Sequence, residues 1–562
     1  MEDIGQRNKE PPLDVPASNA VDKILHAIPP RSITGTKDRG SFRINNNLRA
    51  DTFVNHFLTV VNYRYNAIYR PTLTDQYVQW WADRAAGKPL SPEFTCLLLR
   101  ICAYSVQYLS PALRKMIEFE LACNSQTLTE RFTSAADQLS QSFEASTTRI
   151  ERVQEQFLKA VWLKSESKIV ESWHTLGRTI REAQELGIDK DAGIDSLPEF
   201  DIEIRRRIWT LLYIWDWQMS AWLGRPNLID QKNLTFNFPN LRLDQSTTEP
   251  KLLSPFAHIV LQAQLARRIA TIMGEAQPHT NLSAEQVLAI ESECEKFMEE
   301  LPAVFKITET DKSLDEQYPY FVFQRHQLHC VIFLAMLDVL KPYLTRDRRD
   351  KLTDRDDELR KMGVDIALRL LEVSRDLFDH EFPINAKFHM VAFSIFDTAT
   401  LLCSAIIHDQ DHILPRREAV IDIINNSLDM LHQLSLTTKL GAASYSFLSK
   451  LVQATPELSR HSPGSKRQKQ RDLLTPSTSS SSLAISTMDH MEPLTGTKPP
   501  EINLVPSVTI TDDLSFDLDQ FLAQNPFGNP GSTSALDMGG MEQIWDWENL
   551  HLDGFSNNGS VV

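Results

Sequence analysis

Two stretches decide the fold class: IVESWHTLGRTIREAQELGID (169–189) and SLPEFDIEIRRRIWTLLYIWDWQMSAWLGRP (196–226). In the second, Ile204, Ile208, Leu211, Trp215, Met219 and Trp222 recur at intervals of 4, 3, 4, 4 and 3, which is one face of an α-helix. Ser196 and Glu199 have capping-box spacing, with Pro198 in the first turn, where its missing N–H costs nothing. Gly224-Arg225-Pro226 ends the pattern, because glycine accepts a left-handed terminal conformation and proline cannot continue a helix. In the first stretch Ile169, Trp173, Leu176, Ile180 and Ala183 form a matching stripe closed by Leu186-Gly187. Two such stripes joined by a short polar break predict a helical hairpin that buries its indole rings together.

The same residues carry a family resemblance. Trp173, Gly177, Arg181, Ala183, Leu186 and Gly187 fall in one spaced pattern. Ile204, Arg205, Arg206, Arg207, Trp209, Tyr213, Asp216, Ser220, Gly224, Arg225 and Pro226 follow in a second. Together they resemble the regulatory, or middle homology, region of fungal zinc-cluster (Zn2Cys6) transcription factors. Thr210 stands where that family usually has a second Trp, and Trp217 where a basic residue usually follows the Asp. Arg70-Pro71-Thr72-Leu73 resembles the family's His-Pro-Thr-Phe turn, and Asn237-Phe238-Pro239 its Leu-Pro position.

The chain has 562 residues, 42% hydrophobic, with 29 prolines against 19 glycines, as for a globular protein with polar ends. MEDIGQRNKEPPLDVP has no apolar core, so no secretory signal is expected. The strongest membrane candidate, 390–407, carries Asp397 near its centre, which costs roughly 3 kcal/mol in a bilayer, so a buried core helix is expected. The cysteines (Cys96, Cys102, Cys123, Cys294, Cys330 and Cys403) are expected to be reduced. They are far too dispersed for the C-x-x-C pairs of a zinc cluster, so no cofactor is expected within this chain. Zinc is expected only if a cluster precedes Met1.

Net charge is −16, which opposes unassisted binding to a polyanion. From Leu473 to Val562 twelve acids face one base, Lys498, so the acidity is concentrated in the tail.

Four regions follow in order. Residues 1–48 read as a disordered segment. Residues 49–455 read as one all-α regulatory domain, a single large helical bundle. A first helix carries Phe53, Phe57, Val60, Val61 and Ile68, and short helical faces follow at Tyr77, Trp80 and Trp81 and at Phe94 to Ser105. RKMIEFELACN and IERVQEQFLKAVWL read as two helices separated by polar SAADQLSQSFEAST. Further stripes cover 255–275, 284–300, 319–345, 355–378, 385–408 and 415–435. Residues 456–510 read as a disordered Ser/Pro-rich linker whose Lys466, Arg467, Lys469 and Arg471 are either a nuclear-import cluster or a solvated charge run. In 511–562, acids interleave with Leu514, Phe516, Leu518, Phe521, Trp545, Trp547 and Leu550. That pattern fits an activation segment docking on a coactivator groove, or a terminal helix packing back on the domain.

Other clusters are read as structural. Arg205, Arg206 and Arg207 spread around a helix rather than forming a groove-facing stripe, and are expected to pair with Glu203, Asp201, Asp216 or others. His326, His329 and Cys330 have metal-like spacing but apolar neighbours, and HDQDH (408–412) reads as a solvated loop. No nucleophile elbow, phosphate-cradling glycine loop or H-E-x-x-H is present, so no enzyme is expected.

The resemblance implies a nuclear transcriptional regulator in which a helical domain restrains an activation segment. It also implies homodimerisation or a DNA-binding partner, contact with a coactivator or the general transcription machinery, and in some members a small-molecule effector. No membrane partner is expected. Trp173, Trp209, Trp215 and Trp222 are the residues to watch as ligand-pocket lining or as core. The alternative is a relative that senses metabolites or titrates a partner without touching DNA.

Overall fold

The computed structural model describes residues 15–29, 50–143, 149–191, 193, 196–231, 236–245, 249, 252–274, 282–345, 353–409, 411–455 and 458. Among them the regular structure is entirely helical. In chain order the α-helices are α1 (Val15–Ile24), α2 (Ala50–His56), α3 (Arg70–Ala85), α4 (Pro92–Val106), α5 (Pro111–Leu121), α6 (Ser125–Ser140), α7 (Ile150–Ser165), α8 (Ile169–Glu185), α9 (Glu199–Trp222), α10 (Ala257–Met273), α11 (Ala284–Glu300), α12 (Tyr320–Thr345), α13 (Asp354–Glu381), α14 (His389–Ile407), α15 (Arg417–Ser435) and α16 (Lys439–Ala454). One compact unit runs to Ser449. Beyond it the described residues are the end of α16, Thr455 and Leu458.

Polar caps set the starts. Ser91, Ser110 and Asn124 accept the N–H of Phe94, Leu113 and Thr127 at the heads of α4, α5 and α6. Ser283 and Thr353 form full capping boxes with Gln286 and Asp356. The capping box expected at Ser196 and Glu199 does not form. Pro198 itself takes the N-cap position of α9, without a side-chain cap.

Two helices are buried on nearly every side. α4 buries Pro92 and all of Phe94–Val106, and is the hub against which α1, α2, α6 and α7 pack. α14 is buried from His389 to Ile406 apart from Phe393, and contacts α12, α13 and α15. Its apolar composition suits a core helix, and Asp397 at its centre is paired inside the protein with Lys341. α12 and α13 form the most extensive pairing, while α9 and α10 bridge the two halves: α9 packs on α8 and α10, and α10 on α11 and α12.

The structure departs from the sequence reading at three places. Residues 15–28, read as linker, form α1 and a 3₁₀ turn that bury Val21, Ile24 and Ile28 against α4 and α6. The interval between RKMIEFELACN and IERVQEQFLKAVWL contains an extra helix, α6, which runs into the polar stretch and whose Leu128, Phe132, Ala136 and Leu139 are buried. The first helix does not run to Ile68. α2 widens into a π segment at Phe57–Val61 and tightens to a 3₁₀ turn at Asn62–Arg64, and the Arg-Pro-Thr-Leu expected as a turn begins α3. That change of winding carries Arg64 into the interior, where it is fully buried.

Candidate functional site

The paired stretches fold as α8 and α9, which pack on one another, though α8 packs more extensively on α7. Each consecutive arginine of α9 has a separate structural task. Arg205 donates to the carbonyl of Leu186 at 3.3 Å. Arg206 holds Asp191 at 2.8 Å, and Asp191 also accepts the backbone and side-chain N–H of Asn237. Burial alone would raise the Asp191 carboxyl, but hydrogen bonds from Arg206 and Asn237 outweigh it and hold it low. Arg207 lies 3.0 Å from Glu203 and 2.7 Å from Asp244. Glu203 in turn accepts the amides of Asn240 and Leu241, each at 2.9 Å. The arginine run therefore fastens the segments flanking α9.

Among the described residues Asp216 pairs with no arginine. One of its oxygens accepts the amides of Leu228 and Ile229, both at 2.8 Å, folding the chain beyond Gly224 back along α9. Burial pushes its carboxyl up to about 6, against those two amides. Ser220 donates to the carbonyl of Pro226, and Gly224 supplies the positive φ of +59° that starts the reversal. The returning loop lies on α8. The Arg225 guanidinium sits 4.4 Å from the Trp173 ring centre, and a Cβ at Gly177 would stand 3.1 Å from the Leu228 side chain. The conspicuous motif is thus the scaffold that fixes the end of α9.

That end borders a cleft between α9, α10, α12 and α14. Trp217, Ala221 and Trp222 line it from α9, Ile269 from α10, Val331 and Leu334 from α12, and Asp338, Lys341 and Asp397 close its polar end. It encloses about 570 Å³ of atom-free space including its mouth, with about 40 Å³ of interior room for solvent. Lys341 sits 3.4 Å from Asp338 and 3.6 Å from Asp397. Burial pushes the Asp397 carboxyl up, with Lys341 opposing. Burial alone would lower Lys341, but the two aspartates prevail and raise it, so it stays charged.

Of the four watched tryptophans, Trp222 alone reaches this cleft. Trp173 lies under Arg225, and Trp209 is core, edge-on to Phe236 at 6.3 Å. Trp215 is packed against Tyr65 and Phe157 at 5.2 and 4.9 Å. Trp215 and Trp222 come together on Lys164 of α7, whose ammonium lies 4.4 and 4.0 Å from their ring centres. His389 and Phe393 of α14 complete the surroundings of Trp222, at 5.3 and 4.9 Å. The expected union of the indoles is therefore partial, and Trp173 stays apart from it. Sequence reading missed Trp217, Lys164, Lys341, Asp397 and His389 as site residues. The departures from pattern at Trp217 and Asp397 were the available signals.

His329 bonds the carbonyl of Phe305, Cys330 lies 3.8 Å from Ser374, and His326 is 3.9 Å from Asp376. In HDQDH, Asp409 accepts the amides of Ile413 and Leu414. Among the described residues no group of three or more His, Cys, Asp or Glu is arranged to hold a metal ion, and five of the six cysteines are buried singly. Lys466, Arg467, Lys469 and Arg471, and Leu514, Phe516, Leu518, Phe521, Trp545, Trp547 and Leu550, lie outside the described residues.

The fold and the α8–α9 scaffold define an all-helical domain, and comparison with known proteins shows what part of it resembles. Residues 54–290 match the family described as "Fungal specific transcription factor domain". That stretch is therefore similar to the domain found in fungal transcription factors, and the relatives that follow are named as transcription factors. It is 25% identical over 473 residues to the probable transcription factor sol4 of Alternaria solani, covering 77% of this chain and 83% of that protein. It is 24% identical to the transcription factor xilB of Penicillium rubens, covering 64% and 57%. It is 21% identical to the equisetin cluster transcription factor eqxF of Fusarium heterosporum, covering 64% and 51%. The chain spans little more than half the length of these last two.

Proposed function

We propose that this protein is a nuclear transcriptional activator in which the helical domain governs an acidic, aromatic-bearing segment at 511–562. The observation that carries this reading is the coexistence of a fungal transcription factor domain with a tail in which twelve acids face one base between Leu473 and Val562. In such a tail the acids keep Phe516, Leu518, Trp545 and Trp547 hydrated and available to a coactivator groove, where apolar contact supplies the affinity. The basic cluster Lys466 to Arg471 would serve nuclear import.

DNA recognition, in this reading, comes from a DNA-binding partner or from a zinc cluster outside residues 1–562. Dispersed cysteines and a net charge of −16 favour recognition supplied from elsewhere. They also favour the alternative of a partner-titrating or metabolite-sensing regulator.

The test is to fuse residues 473–562 to an unrelated DNA-binding domain and read a reporter gene. Strong expression is expected, falling when Phe516, Leu518, Trp545 and Trp547 are replaced by alanine. A silent fusion at normal protein level removes the activator reading and leaves the titrating one.

A further inference from the structure

Four buried arginines are matched with acids. Arg64 meets Glu381, Arg100 meets Glu155 and Asp137, Arg207 meets Glu203, and Arg325 meets Asp315. Lys164 breaks the pattern. It is 2% exposed and rests on the faces of Trp215 and Trp222, and among the described residues it has neither an ion pair nor a hydrogen bond. Beside it stands a second basic group: His389 is buried against Trp222, and among the described residues its Nε2 has no hydrogen bond. Two basic groups left without an acid in an apolar interior are costly unless something else satisfies them.

We propose that Lys164 and His389 form the anion-recognising end of a small-molecule site entered from the α9–α12–α14 cleft past Trp222, and that its ligand is a small monocarboxylic acid with an aromatic or apolar body. Trp222 makes the connection. It lines the cleft and carries the Lys164 ammonium at 4.0 Å, so this one indole stands between the cleft and the lysine, and its rotation would expose the ammonium to the cleft. Trp217, Ile269, Val331 and Leu334 offer the apolar body its walls. The charge of the ligand is limited by the cleft itself. Asp338 and Asp397 stand with Lys341 at the polar end, where a second carboxylate or a phosphate dianion would meet carboxyl groups.

Protonation supports the assignment. Burial, with no acid opposing it, pushes Lys164 well below the usual lysine range. Burial first, and then Lys164, push His389 below the usual histidine range. A bound carboxylate stabilises the charged form of either group, so binding draws a proton from solution.

The test is calorimetric titration of the full-length protein with benzoate and with its uncharged counterpart benzamide, in two buffers of different ionisation enthalpy at neutral pH. Benzoate is expected to bind with net proton uptake, and benzamide at least tenfold more weakly. Lys164→Met keeps an apolar stem over both indoles and is expected to weaken benzoate at least tenfold without lowering the melting temperature. His389→Gln gives an independent arm, with a several-fold loss that holds even if the lysine variant folds poorly. Absence of benzoate binding, equal affinity for benzamide, or unchanged benzoate affinity in folded Lys164→Met or His389→Gln protein overturns the proposal.

Discussion

The guanidinium of Arg64 and the carboxylate of Glu381, 317 positions apart in the chain, meet 3.1 Å apart with neither side chain exposed. Arg64 also lies over the ring of Tyr108 at 4.4 Å and that of Tyr63 at 5.0 Å, and its carbonyl is bonded by His258 of α10 at 3.1 Å. One residue thus ties the turn before α3 to α4, α10 and the end of α13. Glu381→Leu, which leaves the guanidinium buried without its acid, is expected to cost about 3 to 5 kcal/mol. Arg64→Met combined with Glu381→Leu is expected to recover much of that loss, because no unmatched charge remains. Urea unfolding of the two variants checks both statements.

Stability is expected to fall on both sides of a pH optimum, from different groups. Burial pushes His258, His326 and His329 each to about 4. Below about 6.5 the unfolded chain takes up protons that the folded chain refuses, so stability is lost as pH falls from there towards 4. Glu291 acts in the opposite sense. Burial, aided by Glu295, pushes it up to about 8 from 4.5, so between those values the folded form holds a proton that the unfolded form has released. Its contribution is lost as pH rises through that window. Glu291→Gln is expected to match wild type near pH 4.5 and to exceed it progressively up to pH 8.5, by on the order of a few kcal/mol at most. Thermal melting across pH reads the difference.

The loop after α9 depends on one carboxylate oxygen. Asp216→Ala strands the amides of Leu228 and Ile229 and is expected to cost about 2 to 4 kcal/mol. Asp216→Asn retains an oxygen that accepts both, and most of the loss is expected to be spared. Limited proteolysis within 224–231, together with thermal melting, distinguishes the two.

The three arginines of α9 are expected to matter for stability in the order Arg207, Arg206, Arg205. Arg207→Ala leaves Glu203 buried without its cation, Arg206→Ala releases a half-exposed Asp191, and Arg205→Ala removes one bond to a carbonyl. The expected losses run from about 3 kcal/mol for the first to below about 1 kcal/mol for the last. Melting temperatures of the three variants check the order.

Helices α10, α11, α13 and α15 were legible because each carries an apolar stripe against a polar face, and α12 and α14 because each is a long, largely apolar run. α6 was not, since Ser134, Ala135 and Ala136 read as polar or neutral although Ala136 is fully buried. α1 was overlooked although Val21, Ile24 and Ile28 have helical spacing, because proline-bearing polar flanks dominate that region. The change of winding at Phe57–Arg64 depends on Glu381, a partner that no local pattern announces. At the cleft, Trp222 could be singled out from its stripe. Lys164 and His389 could not, since an unpaired lysine becomes visible only once three helices have met around it.

The central claim, that the helical domain restrains an activating tail, is tested most directly by tethering two fragments to the same unrelated DNA-binding domain at equal protein levels. The account expects residues 473–562 alone to drive the reporter strongly and residues 50–562 to drive it several-fold less. Equal activity of the two fusions, or a silent 473–562, would contradict it.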